Sequence, residues 1–365
     1  MTGTADRIRV LIVDDSAVIR GALGRIVDAE SDMTVVTTAP NGRVALDALK
    51  HAKIDVVLLD VEMPEMDGLT ALPLILAQFP ATRVIMASSL TQKGAEVTMN
   101  ALAMGASDYI AKPAAKTGSA TLAAISIEIA SKVRAIGRSA RGHRTTPATG
   151  RPAAPVHTEL LAARADGAAP RILAIASSTG GPNALAEVLS ALPKDFALPI
   201  LITQHMPAVF TALLAQRLER DTGRICIEAK DGDRITPYCT YVAPGDSHMI
   251  VQTHEGLPYV RLTKTDPENF CRPSADPMLR SIASIYGAST LTIVLTGMGE
   301  DGMRGCKDVQ QRGGQILVQD EATSVVWGMP GAVVNAGLAS AILPLSQIGP
   351  AILSRCTTAA PGKAA

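Results

Sequence analysis

Short runs of apolar, often β-branched residues alternate along the chain with segments whose apolar positions recur every three or four residues. In the first third the runs are RVLIVDD, MTVVTTA, IDVVLLD, RVIMASS and DYIAKP, and a helix-type pattern follows each, the last being ATLAAISIEIASKVRAI. Strands that are apolar on both sides are covered on both faces, and strand–helix alternation marks a parallel sheet with helices on either side. A second series starts at Arg171 with RILAIAS, LPILITQ, LTIVLTG and QILVQD. Residues 224 to 263 read as several short strands turning at PGD and HEG, one or two hairpins. The pattern predicts an α/β protein of two doubly wound, mainly parallel-sheet domains.

Composition adds a boundary. From Ile129 to Thr158 there is no Asp or Glu, while Lys132, Arg134, Arg138, Arg141, Arg144 and Arg151 accumulate with Gly, Pro, Ala and Thr. This predicts a flexible basic linker over 131–170, between a first domain at 1–130 and a second at 171–365. Lys plus Arg equals Asp plus Glu at 34 each, so no global field recruits nucleic acid, and none is expected as a partner. The five cysteines are scattered with no CxxC pair, which suits neither a disulfide framework nor a zinc site and points to a reducing cytoplasm. No apolar run of 18 residues occurs, so contact with a membrane is expected only through partners.

Polar residues gather where the apolar strands end, the edge on which open parallel sheets build sites. In the first series these are Asp14 and Asp15, Asp60, Ser88 and Lys112. Three converging carboxylates repel one another unless a cation intervenes, and oxygen-only ligation suits Mg²⁺. Such a site can position a phosphoryl donor for attack by a carboxylate. LIVDDS, LLDVEMPEMDGL, ASS and YIAKP together resemble the response-regulator receiver domain over roughly residues 7 to 130. The resemblance implies phosphorylation of Asp60, Mg²⁺ held by Asp14, Asp15, Asp60 and the Glu62 carbonyl, phosphoryl contacts from Ser88 and Lys112, and Tyr109 as an aromatic switch.

In the second series, ILAIASSTGGPNAL runs from a strand through two serines and two glycines into a helix. Alone, this turn could cradle a phosphate, mount Ser178 as a nucleophile, or simply be a tight corner. His205 follows the next strand directly, whereas His248 and His254 belong beside hairpin turns, in solvated or turn-capping roles. TIVLTGMGEDGMRG supplies Asp301, with Glu300 beside it, and Gly297 and Gly299 would let the Met298 N–H approach an oxyanion. A phosphate cradle leaves His205 and Asp301 without a role, but a Ser–His–Asp triad uses all three.

ASSTGG, ITQHMP, YVAPGDSHM, RPSAD, LTGMGEDG and VVWGMPGA resemble the catalytic domain of the chemotaxis response-regulator protein-glutamate methylesterase/protein-glutamine glutaminase family, a Rossmann-like methylesterase domain. The resemblance implies Ser178 as nucleophile, His205 as base, Asp301 as orienting acid, and Met298 and Thr179 as oxyanion donors, with no cofactor for the hydrolysis. It implies methyl-accepting chemoreceptors as substrate and a chemotaxis histidine kinase as phosphodonor. Ser177 departs from the family motif, which usually has Ala or Gly there. The competing reading is a response regulator whose second half binds protein or nucleic acid without chemistry.

Overall fold

A computed structural model describes residues 7–89, 91–113, 119–142 and 168–357. The chain divides into two compact units, one within residues 1–150 and one within 151–365.

The first unit alternates β1 (Ile8–Val13), α1 (Ala17–Asp28), β2 (Met33–Ala39), α2 (Gly42–His51), β3 (Val56–Asp60), α3 (Gly68–Gln78), β4 (Arg83–Ser88), α4 (Gln92–Ala103), β5 (Asp108–Ala111) and α5 (Ser119–Gly142). All strand pairs are parallel, in the order β2-β1-β3-β4-β5. The helices start where the sequence supplies a cap: Ser16, Asn41, Asp67 and Thr91 each accept a backbone N–H from the first turn that follows. After β1 the chain winds to one side of the sheet, and from β3 onward to the other. The ends of β1 and β3 therefore flank the switch point where such sheets bind ligands.

Helix α5 corrects the expected linker boundary. It runs on to Gly142, packs against β1, β3, β4, β5 and α1, and buries Ile129, Val133, Ile136 and Ala140. Its cations are paired with acids far away in sequence: Arg134 with Glu30 and Asp32, Arg138 with Asp32, Arg141 with Asp55, and Lys132 with Asp108 as well as its own-helix neighbour Glu128. A run without local acids looks like a solvated linker until folding brings the acids to it. The rest of the expected linker, up to residue 167, lies outside the described residues.

The second unit contains β6 (Ile172–Ser177), α6 (Gly181–Ser190), β7 (Ile200–Gln204), α7 (Ala208–Thr222), β8 (Ile225–Glu228), β9 (Cys239–Val242), β10 (His248–His254), β11 (Leu257–Thr263), α8 (Ala275–Tyr286), β12 (Thr290–Val294), α9 (Met303–Gln311), β13 (Gln315–Gln319), α10 (Met329–Asn335), β14 (Ala341–Leu343) and α11 (Leu345–Thr357). Seven strands form one parallel sheet, β14-β13-β12-β6-β7-β9-β8, and β10 and β11 make a separate antiparallel hairpin. Of the short strands expected over 224–263, β8 and β9 thus join the main sheet and only one hairpin forms. The chain reverses between β6 and β12, so their C-terminal ends mark this sheet's switch point. Among the described residues, no helix is long and apolar enough to cross a membrane.

Candidate active site

The turn after β6 explains its own residues. Gly180 has a φ of 79°, a left-handed conformation open to glycine, and it starts α6 without a side-chain cap. Adjacent serines at the end of a strand face opposite ways. Ser177 is fully buried and donates to Gln204 Oε1 at 2.7 Å, whereas Ser178 is partly exposed and its hydroxyl makes no hydrogen bond among the described residues. Gln204, at the end of β7, also donates through Nε2 to the carbonyls of Ser178 (2.9 Å) and His205 (3.3 Å). One amide therefore ties the serine turn to the histidine strand.

From the other side, Ser178 N–H donates to the Thr296 carbonyl at 3.1 Å, beyond the end of β12. Gly297 comes so close that a Cβ there would lie 2.9 Å from Ser178 Cβ and 2.4 Å from Met329 Sδ. The loop before α10 pins this glycine: its N–H donates to Val326, and its carbonyl accepts from both Gly328 and Met329. The next residue, Met298, is half-buried, and its N–H has no acceptor among the described residues. Thr179 is buried, and its carbonyl accepts from Thr296 Oγ1 at 2.9 Å.

His205 and Asp301 meet directly, Nε2 to Oδ2 at 2.7 Å, while Glu300 is exposed. Asp301 is held from all sides. It accepts from Ser274 Oγ (2.6 Å), Asn269 Nδ2 (2.8 Å) and the Ala275 N–H (2.6 Å), so it caps the N-terminus of α8 in place of that helix's own cap residue. Asn269 extends the network to buried Asp276, which also accepts from Gly305 N–H. Burial and the neighbouring Asp301 raise Asp276 above the usual carboxylate range. Burial would raise Asp301 too, but His205, Ser274 and the Ala275 N–H outweigh it and carry it well below that range. For His205 burial opposes protonation, and the bonds to Asp301 and Cys271 overcome it, pushing the imidazole up to about 10.

Because Nε2 serves Asp301, Nδ1 is the nitrogen left to accept a proton. It faces the Cys271 thiol, 3.5 Å away, and no hydrogen bond joins it to Ser178. The structure thus brings His205 and Asp301 together and stitches the serine turn to both strands, without closing the serine–histidine bond. Gln204, Asn269, Cys271, Ser274 and Asp276 were not singled out from sequence. Gln204 carried a signal, an amide ending a buried strand beside His205, and Ser274 and Asp276 lie in the motif RPSAD quoted above; Asn269 and Cys271 lie in a turn whose proximity only the fold creates. His248 differs from expectation in being fully buried: it accepts from Ser274 N–H and bonds the Asp266 carbonyl, which makes it a structural brace.

In the first unit, Asp14, Asp15 and Asp60 each place one carboxylate oxygen within 4.8 Å of the others. Lys112 Nζ lies 2.6 Å from Asp60 Oδ1 and 2.9 Å from Asp14 Oδ2. Burial and Asp14 push Asp60 up, against the pull of Lys112. One lysine leaves three carboxylates undercompensated, Asp14 Oδ2 is buried outside hydrogen-bonding geometry, and Asp15 is exposed. This oxygen-only donor set fits Mg²⁺. Arg20 fixes the loop by donating to the carbonyls of Asp14 and Asp15. The Glu62 side chain is engaged by Lys93, so only its backbone carbonyl is left for the ligand role implied above. Ser88 Oγ donates to the carbonyls of Ser89 and Gly94 and makes no hydrogen bond to Asp60. Tyr109 is buried, with Lys132 4.7 Å from its ring centre.

Comparisons with known proteins agree with both units. The CheB methylesterase family model matches residues 173–352, and the response regulator receiver domain model matches residues 10–122. A protein-glutamate methylesterase/protein-glutamine glutaminase of Azospirillum brasilense is 48% identical, covering 98% of this chain and 96% of its own. One of Caulobacter vibrioides is 49% identical over 97% of this chain and all of its own. The crystal structure of the Thermotoga maritima CheB methylesterase catalytic domain is 39% identical, with a TM-score of 0.50, covering 51% of this chain and 99% of that one. Matched over nearly its whole length by such relatives, the chain belongs to the family of protein-glutamate methylesterases/protein-glutamine glutaminases that join a receiver domain to a CheB methylesterase domain.

Proposed function

We propose that the second unit hydrolyses glutamate methyl esters and glutamine side-chain amides on chemoreceptor proteins, with Ser178, His205 and Asp301 as its catalytic set. The observation that carries this reading is the His205–Asp301 pair at 2.7 Å beside a partly exposed serine. Ser178 Oγ attacks the γ-carbonyl, and His205 Nδ1 takes the hydroxyl proton once it turns from the Cys271 thiol to the serine. Asp301 holds the imidazole and balances its positive charge. The Met298 N–H, unengaged and fixed through Gly297, and the Thr179 N–H receive the developing oxyanion. His205 then returns the proton to the leaving group, methanol from an ester or ammonia from an amide. Water hydrolyses the glutamyl-enzyme by the same steps in reverse. Ester and amide differ only in the leaving group, so one site serves both.

The first unit controls this activity through phosphorylation of Asp60 by a histidine kinase. Asp14, Asp15, Asp60 and the Glu62 carbonyl would hold Mg²⁺, which supplies charge neutralisation for the transferring phosphoryl oxygens. Lys112 adds a cation from the opposite side, and Ser88 reaches the phosphoryl group once its hydroxyl leaves the Ser89 and Gly94 carbonyls. The five free cysteines suit a reducing cytoplasm. The test is methanol release from a methyl-labelled receptor: Ser178→Ala is expected to lower it by at least about 10³-fold with the fold retained. A Ser178→Ala protein that releases methanol at the wild-type rate overturns the assignment.

A further inference from the structure

The groups that reach His205 and Asp301 from outside the sheet come from one tight turn, residues 268–271. Cys271 N–H donates to the Glu268 carbonyl at 2.9 Å, and both central residues are left-handed, Asn269 at φ 51° and Phe270 at φ 62°. That backbone is the one Asn-Gly favours, because a Cβ at the second central position is crowded. Here the position holds phenylalanine. Its side chain is the most exposed large apolar group among the described residues, at 103% of the reference value. It buries nothing in the fold. Yet its neighbours on either side hold the catalytic pair: Asn269 donates to Asp301, and Cys271 meets His205 Nδ1. Strained, solvent-facing residues clamped between functional contacts are where a fold gives up local comfort for a task.

Position suggests the task. Consecutive Cα atoms are about 3.8 Å apart, so the ring lies within about 10 Å of the thiol that touches the base. A glutamyl ester bound at Ser178 leaves its own backbone only a side chain's length away, which brings the protein surface around that glutamate near the turn that meets His205. We infer that Phe270 is a specificity-determining contact, packing against an apolar side chain that flanks the esterified glutamate on the protein substrate. The inference rests on the reading of Ser178 and His205 given above.

The test uses the full-length chain with Mg²⁺ and a small acyl phosphate as phosphodonor. It compares methanol release from methyl-labelled receptor in membranes with hydrolysis of p-nitrophenyl acetate, which has no flanking surface. Phe270→Gly is expected to lose at least tenfold in kcat/KM on the receptor, carried by KM, and less than twofold on the small ester. Its melting temperature is expected not to fall, since glycine suits the backbone. Phe270→Leu should restore the receptor value to within threefold of wild type. Equal losses on the two substrates would make the ring a support of the site and overturn the inference, as would no loss on the receptor. A gain on both substrates without phosphodonor would assign the ring to a contact with the receiver unit and also overturn it. Ser178→Ala in the same assays checks the underlying reading separately, since wild-type small-ester hydrolysis by that variant would sink the triad without bearing on the KM difference.

Discussion

The two sites occupy equivalent places, each at the switch point of a parallel sheet, but they are assembled differently. In the first unit the carboxylates and the lysine all sit on or just after strand ends, at Asp14, Asp15, Asp60 and Lys112. The second unit places Ser178 and His205 directly after β6 and β7 and Asp301 at the end of the loop from β12 to α9, then recruits a turn and a helix N-terminus, through Asn269, Cys271, Ser274 and Ala275, to hold His205 and Asp301. A site for a small phosphoryl group needs only charge in the right place, which the sheet alone supplies. A site that must aim an imidazole at a serine needs the ring fixed from several directions, and a sheet edge offers too few.

The sharpest break in this comparison is expected in the charge-built site. Asp60→Asn should abolish phosphoryl incorporation from a labelled acyl phosphate and with it the Mg²⁺-dependent activation of methanol release. Retained labelling would mean that another carboxylate of the cluster is the acceptor.

The next effect probes the direction-built site. Asp301→Asn is expected to lower kcat for the small ester by about 10²-fold or more, because the imidazole loses its holder. It should also move the rising limb of the pH–rate profile to lower pH, since burial then acts on His205 without its carboxylate partner. The wild-type limb should extend toward about 10, the range to which His205 is pushed up. Stability runs the other way. A histidine raised in the fold contributes fully below its unfolded value near 6.5, and that contribution is lost as pH rises through about 10. Asp301→Asn should flatten this alkaline slope in denaturant titrations, and an unchanged slope would detach it from the pair.

Ser177→Ala carries the smallest effect. Loss of a buried hydroxyl that donates to Gln204 Oε1 should cost about 1–2 kcal/mol of stability, read as a lower denaturation midpoint, with ester hydrolysis within about threefold of wild type. A rate loss matching that of Ser178→Ala would place the nucleophile one residue earlier.

What was legible in sequence follows from the same contrast. Strands apolar on both faces are visible as runs, and polar residues at their ends are visible as interruptions, so the sheets and the residues at both switch points could be read directly. Asn269 and Cys271 could not, because they follow the hairpin formed by β10 and β11 and no local period connects them to His205. Ser178 was set apart from Ser177 by its place in the family motif, and the fold agrees, burying Ser177 and leaving Ser178 partly exposed. The start of the linker falls later than expected for a related reason: the absence of acids between Ile129 and Thr158 describes the neighbours along the chain, while Arg134 and Arg141 answer to Asp32 and Asp55.

Those pairings also set an order of events during synthesis. β1 to β5 are complete once residue 111 has been made, but the helix that closes over them ends only at residue 142. At about 5–20 residues per second, roughly 2–6 s separate the synthesis of the end of β5 from that of the end of α5. In this interval Asp32 and Asp55 have not yet met the arginines of α5, and the apolar surface that Val133 and Ile136 will cover is open to chaperones or to a neighbouring nascent chain. Release of the first unit from that exposure waits on the last turn of one helix.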